Sequence, residues 1–123
     1  MHAESQRLTT SVMVSPAEPP TADRMIQAYD AYFRSGVYAA RYPVANAHSL
    51  NIILEHGGRA ARHILDFGCG TGRYVLALLE ASQAHVTGFD ICPAAIQGLN
   101  ARLDQTPHRQ RAAAILGTFD HLE

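Results

Sequence analysis

The chain has 123 residues, a formal net charge of −1, 47% hydrophobic and 17% charged residues, and two cysteines. That length allows one small domain, the apolar content is that of a globular chain and not a disordered one, and the balanced charge argues against a nucleic-acid-binding surface. Two cysteines make no disulfide framework, which favours a reducing cytoplasm, and no apolar run approaches the roughly 20 residues of a membrane span.

Residues 1–20 hold Pro16, Pro19 and Pro20 without sustained periodicity and are expected to form a disordered or loosely attached tail. From 21 to 35 the pattern is helical. Thr21 is a cap, Met25, Ile26, Tyr29, Tyr32 and Phe33 recur at three- and four-residue intervals, and Gly36 ends the run. That spacing puts Tyr29, Tyr32 and Phe33 in a core. Residues 37–43 (VYAARYP) read as an aromatic connector in which Pro43 keeps Tyr42 out of helix. Residues 46–56 form a second amphipathic helix with Leu50, Ile53 and Leu54 on its stripe, stopped by Gly57 and Gly58.

The rhythm then changes. Residues 63–67 (HILDF) read as a strand, 73–81 (RYVLALLEA) as a helix and 85–89 (HVTGF) as a second strand. Residues 93–103 (PAAIQGLNARL) read as a helix with Pro93 at its first position and Ile96, Leu99 and Leu103 on one face, and 112–116 (AAAIL) as a third strand. This alternation is the α/β pattern of a parallel sheet with crossover helices. Right-handed crossovers that step in one direction place both helices on the same face. The other face, and the open edge of the first strand, should therefore be left bare.

The chemistry concentrates in Asp66-Phe67-Gly68-Cys69-Gly70-Thr71-Gly72-Arg73. Alternating glycines at a strand-to-helix turn allow unusual backbone angles and let a ligand approach the main chain. The following helix offers free N–H groups to a carboxylate or phosphate. Asp90 ends the second strand, where an acid accepts hydrogen bonds from ribose hydroxyls, and Ile91 follows it. The dinucleotide fingerprint G-x-G-x-x-G would need glycine where Arg73 stands. Asp66 before the loop is also a poor neighbour for a pyrophosphate and a good one for a cationic ligand.

The run ILDFGCGTG resembles motif I of class I S-adenosylmethionine-dependent methyltransferases, and VTGFDICPAAI resembles their second motif. The RYP segment, with Tyr29, Tyr32 and Tyr38, resembles the N-terminal region of small-molecule methyltransferases of this class. The resemblance runs from about Tyr29 to the end of the chain. It implies a Rossmann-like parallel sheet, incomplete at about three strands, in a partial domain over 21–123. It implies S-adenosyl-L-methionine as cofactor, with Gly68, Gly70 and Gly72, and Cys69 between them, lining its methionine part. Asp66 would orient the loop and help hold the ammonium group, Asp90 would hold the ribose hydroxyls, and Ile91 would contact adenine. The family's acid beside the adenine amino group has Thr118 in its place, which leaves Asp120 as the candidate. Tyr38 and Arg41, with Tyr29, would close over the cofactor.

The activity implied is methyl transfer to a small-molecule acceptor by direct in-line displacement. The family's acceptor-binding and basic residues mostly follow a fourth strand, so no catalytic base is named; either the chain is a fragment of a larger enzyme, or a partner chain or second copy completes the sheet. Two alternatives stand beside this reading. One is a non-catalytic module that binds S-adenosylmethionine or S-adenosylhomocysteine in support of a partner, and the other is an NAD-binding domain, disfavoured by Arg73 and Asp66. All ten basic residues are arginine, which excludes Schiff-base and P-loop lysines and points to a GC-rich bacterial genome. Cys69 and Cys92 read as packing residues, and the seven histidines lack metal-ligand spacing, so no metal is expected. His108, Arg109 and Arg111 read as a solvated basic run.

Overall fold

The computed structural model describes residues 21–118, so the N-terminal tail and Asp120 lie outside the described residues. Helix α1 spans Ala22–Arg34, and Thr21 caps it as expected, its Oγ1 accepting from the Arg24 N–H at 3.2 Å. Gly36 follows in the left-handed region, at φ 82°. The aromatic connector is not irregular throughout: Val37–Arg41 forms a short helix, α2, which ends where Tyr42 turns to φ −128° ahead of Pro43. The expected second helix is split. Helix α3 covers Ala47–Ile53 with Asn46 as its cap, and a wide turn over Leu54–Gly58 takes the remainder because Gly57 adopts φ 130°.

Strand β1 (His63–Phe67), helix α4 (Arg73–Ala81), strand β2 (His85–Asp90), helix α5 (Pro93–Leu103) and strand β3 (Ala112–Leu116) follow in the expected order. The strands are parallel and lie in the order β1-β2-β3, with Ile64 opposite Val86 and Val86 opposite Ala112. One face of this sheet carries the core. Val75, Leu78 and Leu79 of α4 and Ile96, Leu99 and Leu103 of α5 pack on Ile64, Val86, Ala112 and Ala114, and Leu54 joins them from the turn after α3. Both crossover helices therefore cover the same face, as right-handed connections require.

The opposite face is apolar and open at β1 and β3, while Phe89 of β2 is fully buried on it. Leu65 is 51% exposed, Phe67 46% and Ile115 43%. Their register partners on β2 are Thr87 and Phe89, and the Phe67 and Phe89 rings stack at 5.1 Å. The N-terminal stripe departs from expectation. Tyr29 is 51% exposed and Tyr32 and Phe33 are only half-buried, so none of the three belongs to the sealed core. Ile53 is also largely exposed, while its neighbour Leu54 is buried.

Gly88 is a packing requirement that strand periodicity does not reveal. A Cβ there would lie 2.7 Å from Leu99 Cδ2, 2.9 Å from Cys69 Sγ and 3.1 Å from Val75 Cγ2. Gly88→Ala should destabilise the fold by about 1–3 kcal/mol, the usual effect of overpacking. An unchanged urea midpoint for that variant would contradict this account.

Candidate functional site

The three glycines of the loop after β1 all have positive φ, 78° at Gly68, 60° at Gly70 and 92° at Gly72, but their surroundings differ. Gly72 is buried, and a Cβ on it would collide with Leu99 of α5, so its role is to bring α4 and α5 together. Gly70 is also buried. A Cβ there would come within 2.7 Å of the Tyr38 hydroxyl, so the tyrosine sits directly against the loop. Gly68 is exposed with open space around it and lines a cleft. Cys69 turns its side chain into the core, where its thiol donates to the Gly70 carbonyl at 3.4 Å. Burial, followed by the charges of Asp90 and Asp66, pushes that thiol up to about 12. It is therefore no nucleophile at neutral pH, and only its main chain is left to meet a ligand.

Asp90 fastens the loop to the sheet. Its Oδ2 accepts from the Gly70 N–H at 2.9 Å and its Oδ1 from the Cys92 N–H at 3.0 Å. The Gly68 and Cys69 N–H groups both donate to the Phe89 carbonyl, at 2.7 and 3.0 Å. An ionised carboxylate offers about four lone-pair sites, so the two amides leave acceptor capacity on Asp90. That residue also lines the cleft, a space of about 340 Å³ bounded by Ala22, Met25, Phe67, Gly68, Phe89, Asp90, Ile91 and Thr118. It opens at the carboxyl ends of the strands, where open α/β sheets bind ligands.

Asp66 lies on the helix-covered face of β1, half-buried. Burial raises its carboxyl above the ordinary range, the charge of Asp90 raises it further, and Arg73 opposes both. Burial likewise raises the Tyr38 hydroxyl, again against Arg73. Tyr38 is fixed by its neighbours, its ring centroid 4.6 Å from that of Phe33 and 5.2 Å from that of Tyr42. Arg41, the last residue of α2, is exposed and makes no hydrogen bond or ion pair to the loop among the described residues.

The structure thus brings Asp66, Gly68, Cys69, Gly70, Asp90, Ile91 and Tyr38 to one end of the sheet, with Gly72 beneath them. It adds Ala22 and Met25 of α1 and the Phe67–Phe89 pair to the cleft wall. The alternation of β1 and β2 marks the two phenylalanines in the sequence; the resemblance brought the N-terminal helix to the site through Tyr29, but nothing in the sequence singles out Ala22 and Met25 as its cleft-lining residues. No group of three or more metal-ligating side chains occurs among the described residues.

Comparison with known proteins agrees with this architecture. Residues 64–123 match the model of a family described as a methyltransferase domain. Over 64 residues the chain is 31% identical to (+)-O-methylkolavelool synthase of Herpetosiphon aurantiacus, a match that covers 51% of this chain and 23% of that protein. The chain therefore spans about a quarter of this relative's length. A solved RNA methyltransferase of Salinibacter ruber, in complex with S-adenosyl-L-homocysteine, superposes with a TM-score of 0.54 at 18% identity, over 59% of this chain and 48% of that one. Geranyl diphosphate C-methyltransferase of Streptomyces coelicolor gives 0.53 at 18% identity, over 58% and 27%. The fold is thus shared by enzymes named for very different acceptors. Residues 64–123 match the methyltransferase-domain model over just under half of the chain, and the described residues share the Rossmann-like fold of these methyltransferases.

Proposed function

We propose that this chain binds S-adenosyl-L-methionine in the cleft at the strand ends and serves methyl transfer to a small-molecule acceptor. The observation that carries the reading is Asp90, which locks the glycine loop with two hydrogen bonds while lining the cleft. The residues fit the cofactor's chemistry. Asp90 retains acceptors for ribose hydroxyls, and Phe67, Phe89, Ile91 and Met25 form an apolar wall suited to adenine. Gly68 leaves its main chain open, and the Asp66 carboxylate suits an ammonium group. Asp120, outside the described residues, remains the candidate for the adenine amino group, and Arg41 the candidate for an outer contact.

Bound there, S-adenosylmethionine supplies a sulfonium-activated methyl group that a nucleophile displaces in line. The chain's own contribution is orientation and exclusion of water. The Asp90 clamp holds the loop in its bound shape beforehand, and Tyr38 shields Gly70 from solvent. A small-molecule acceptor is supported by the relative named for an O-methylated product and by a net charge of −1, which does not favour a polyanion. We place residues 21–123 in one partial domain, its bare sheet face covered by further chain, a partner or a second copy.

Calorimetric titration of the full chain with S-adenosylmethionine, S-adenosylhomocysteine and NAD tests the assignment. Binding of the first two with no heat from NAD is expected, and binding of NAD alone would overturn it. Cofactor binding without methyl transfer to any apolar alcohol or phenol would favour the non-catalytic module.

A further inference from the structure

The arm formed by α1 and α2 contains no buried residue, yet it supplies Ala22 and Met25 to the cleft and Tyr38 to the glycine loop. Something other than core packing must hold it in place. Helix α5 has the complementary gap. Its N-cap residue is Cys92, whose side chain makes no capping bond. Asp30 of α1 fills it from a distance of 64 residues along the chain, its Oδ1 accepting from the Ala94 N–H at 2.9 Å. The Cys92 thiol donates to the same oxygen at 3.6 Å, and Oδ2 takes the Arg34 Nε–H at 2.6 Å.

We propose that Asp30 is a positioning residue for cofactor retention: by capping α5 from α1 it latches the arm across the cleft. A carboxylate at a helix N-terminus meets free N–H groups and the positive end of the helix dipole. The attachment is directional, and it lies on the very helix whose start follows Asp90. Arg34 holds the carboxylate in the orientation that faces α5. The arm's trailing end is held separately, by Arg102 to the Pro43 carbonyl at 3.3 Å, Arg73 to the Val44 carbonyl at 3.4 Å, the Arg73 guanidinium 4.9 Å over the Tyr42 ring and Tyr38 against Gly70, none of which fastens α1 itself. Releasing Asp30 therefore frees α1 first, and with it the cleft wall formed by Ala22 and Met25.

This rests on the cleft's being the cofactor site, so the test separates the two. In the full chain, Asp30→Ala is compared with wild type by trypsin cleavage at Arg24, Arg34 and Arg41, and by the dissociation rate of S-adenosylhomocysteine. Both rates should rise about tenfold, the scale of a lost helix cap. A residue that only stabilised α5 would lower the melting temperature and leave both rates unchanged. Asp30→Asn keeps a neutral acceptor for the Ala94 N–H and should restore most of the effect; it also keeps the test readable if the alanine variant fails to fold. Wild-type rates in the alanine variant would overturn the latch. A wild-type chain that binds no S-adenosylhomocysteine would overturn the cofactor reading, and a faster-cut arm in the variant would then mark a purely structural tie.

Discussion

Asp90→Ala is expected to abolish measurable cofactor binding while the sheet and helices persist. In the proposed complex the carboxylate accepts from two ribose hydroxyls, and hydrogen bonds to charged groups are each worth about 1.5–3 kcal/mol. Losing both weakens binding by roughly 100-fold or more. The substitution also releases the Gly70 and Cys92 amides, so the loop loses its preformed shape. Asp90→Asn should fall between, because an amide oxygen serves only part of what two carboxylate oxygens serve. Calorimetry with S-adenosylhomocysteine, alongside far-UV circular dichroism, reads the two effects apart. An Asp90→Ala chain with wild-type affinity would refute the ribose assignment.

Arg111→Ala should produce the largest loss of stability among surface substitutions. Far from being solvated, the Arg111 guanidinium donates to the Ala84 carbonyl at 2.7 Å, to the Leu79 carbonyl at 2.8 Å and to the Ser82 carbonyl at 3.3 Å. These are carbonyls at the end of α4 and in the turn to β2, groups a helix leaves unpaired. Removing their shared donor is expected to lose about 3 kcal/mol, or a fall of roughly 10–20 °C in melting temperature for a domain of this size. Arg111→Lys should recover only part, since an ammonium cannot fork across three acceptors. A thermal melt within about 2 °C of wild type for the alanine variant would show that water replaces the guanidinium without penalty.

The same arginine shows where the sequence stops speaking. A short basic run in a loop carries no sign that one of its members faces the end of a helix 29 residues earlier at Ser82. His108 beside Glu80, at 3.2 Å, is equally silent, as is Arg109 beside Asp104 and Asn100. Strands, crossover helices and their single covered face were legible because each follows from local periodicity plus the handedness of parallel connections. Asp66, the glycines and Asp90 were legible because a turn and a strand end fix their place on the backbone. Asp30 and Gly88 were not, since each acts through a neighbour that only tertiary packing supplies. The aromatic spacing of α1 misled for the same reason: the helix packs on α5 and the small helix α2 beside a cleft, with no sheet behind it to bury Tyr29.

The order β1-β2-β3 has a consequence for how this molecule comes into being. Each strand meets a neighbour already made, so the chain lays down its sheet outward without threading a later segment between earlier ones. The clamp from Gly70 to Asp90 closes across only 20 residues. Short closures surrender little chain entropy and favour rapid assembly. A nascent chain released as far as Asp90 already holds both ends of the Gly70–Asp90 bond, so the glycine loop takes its shape alongside the first strand pair, before α5 and Thr118 complete the cleft.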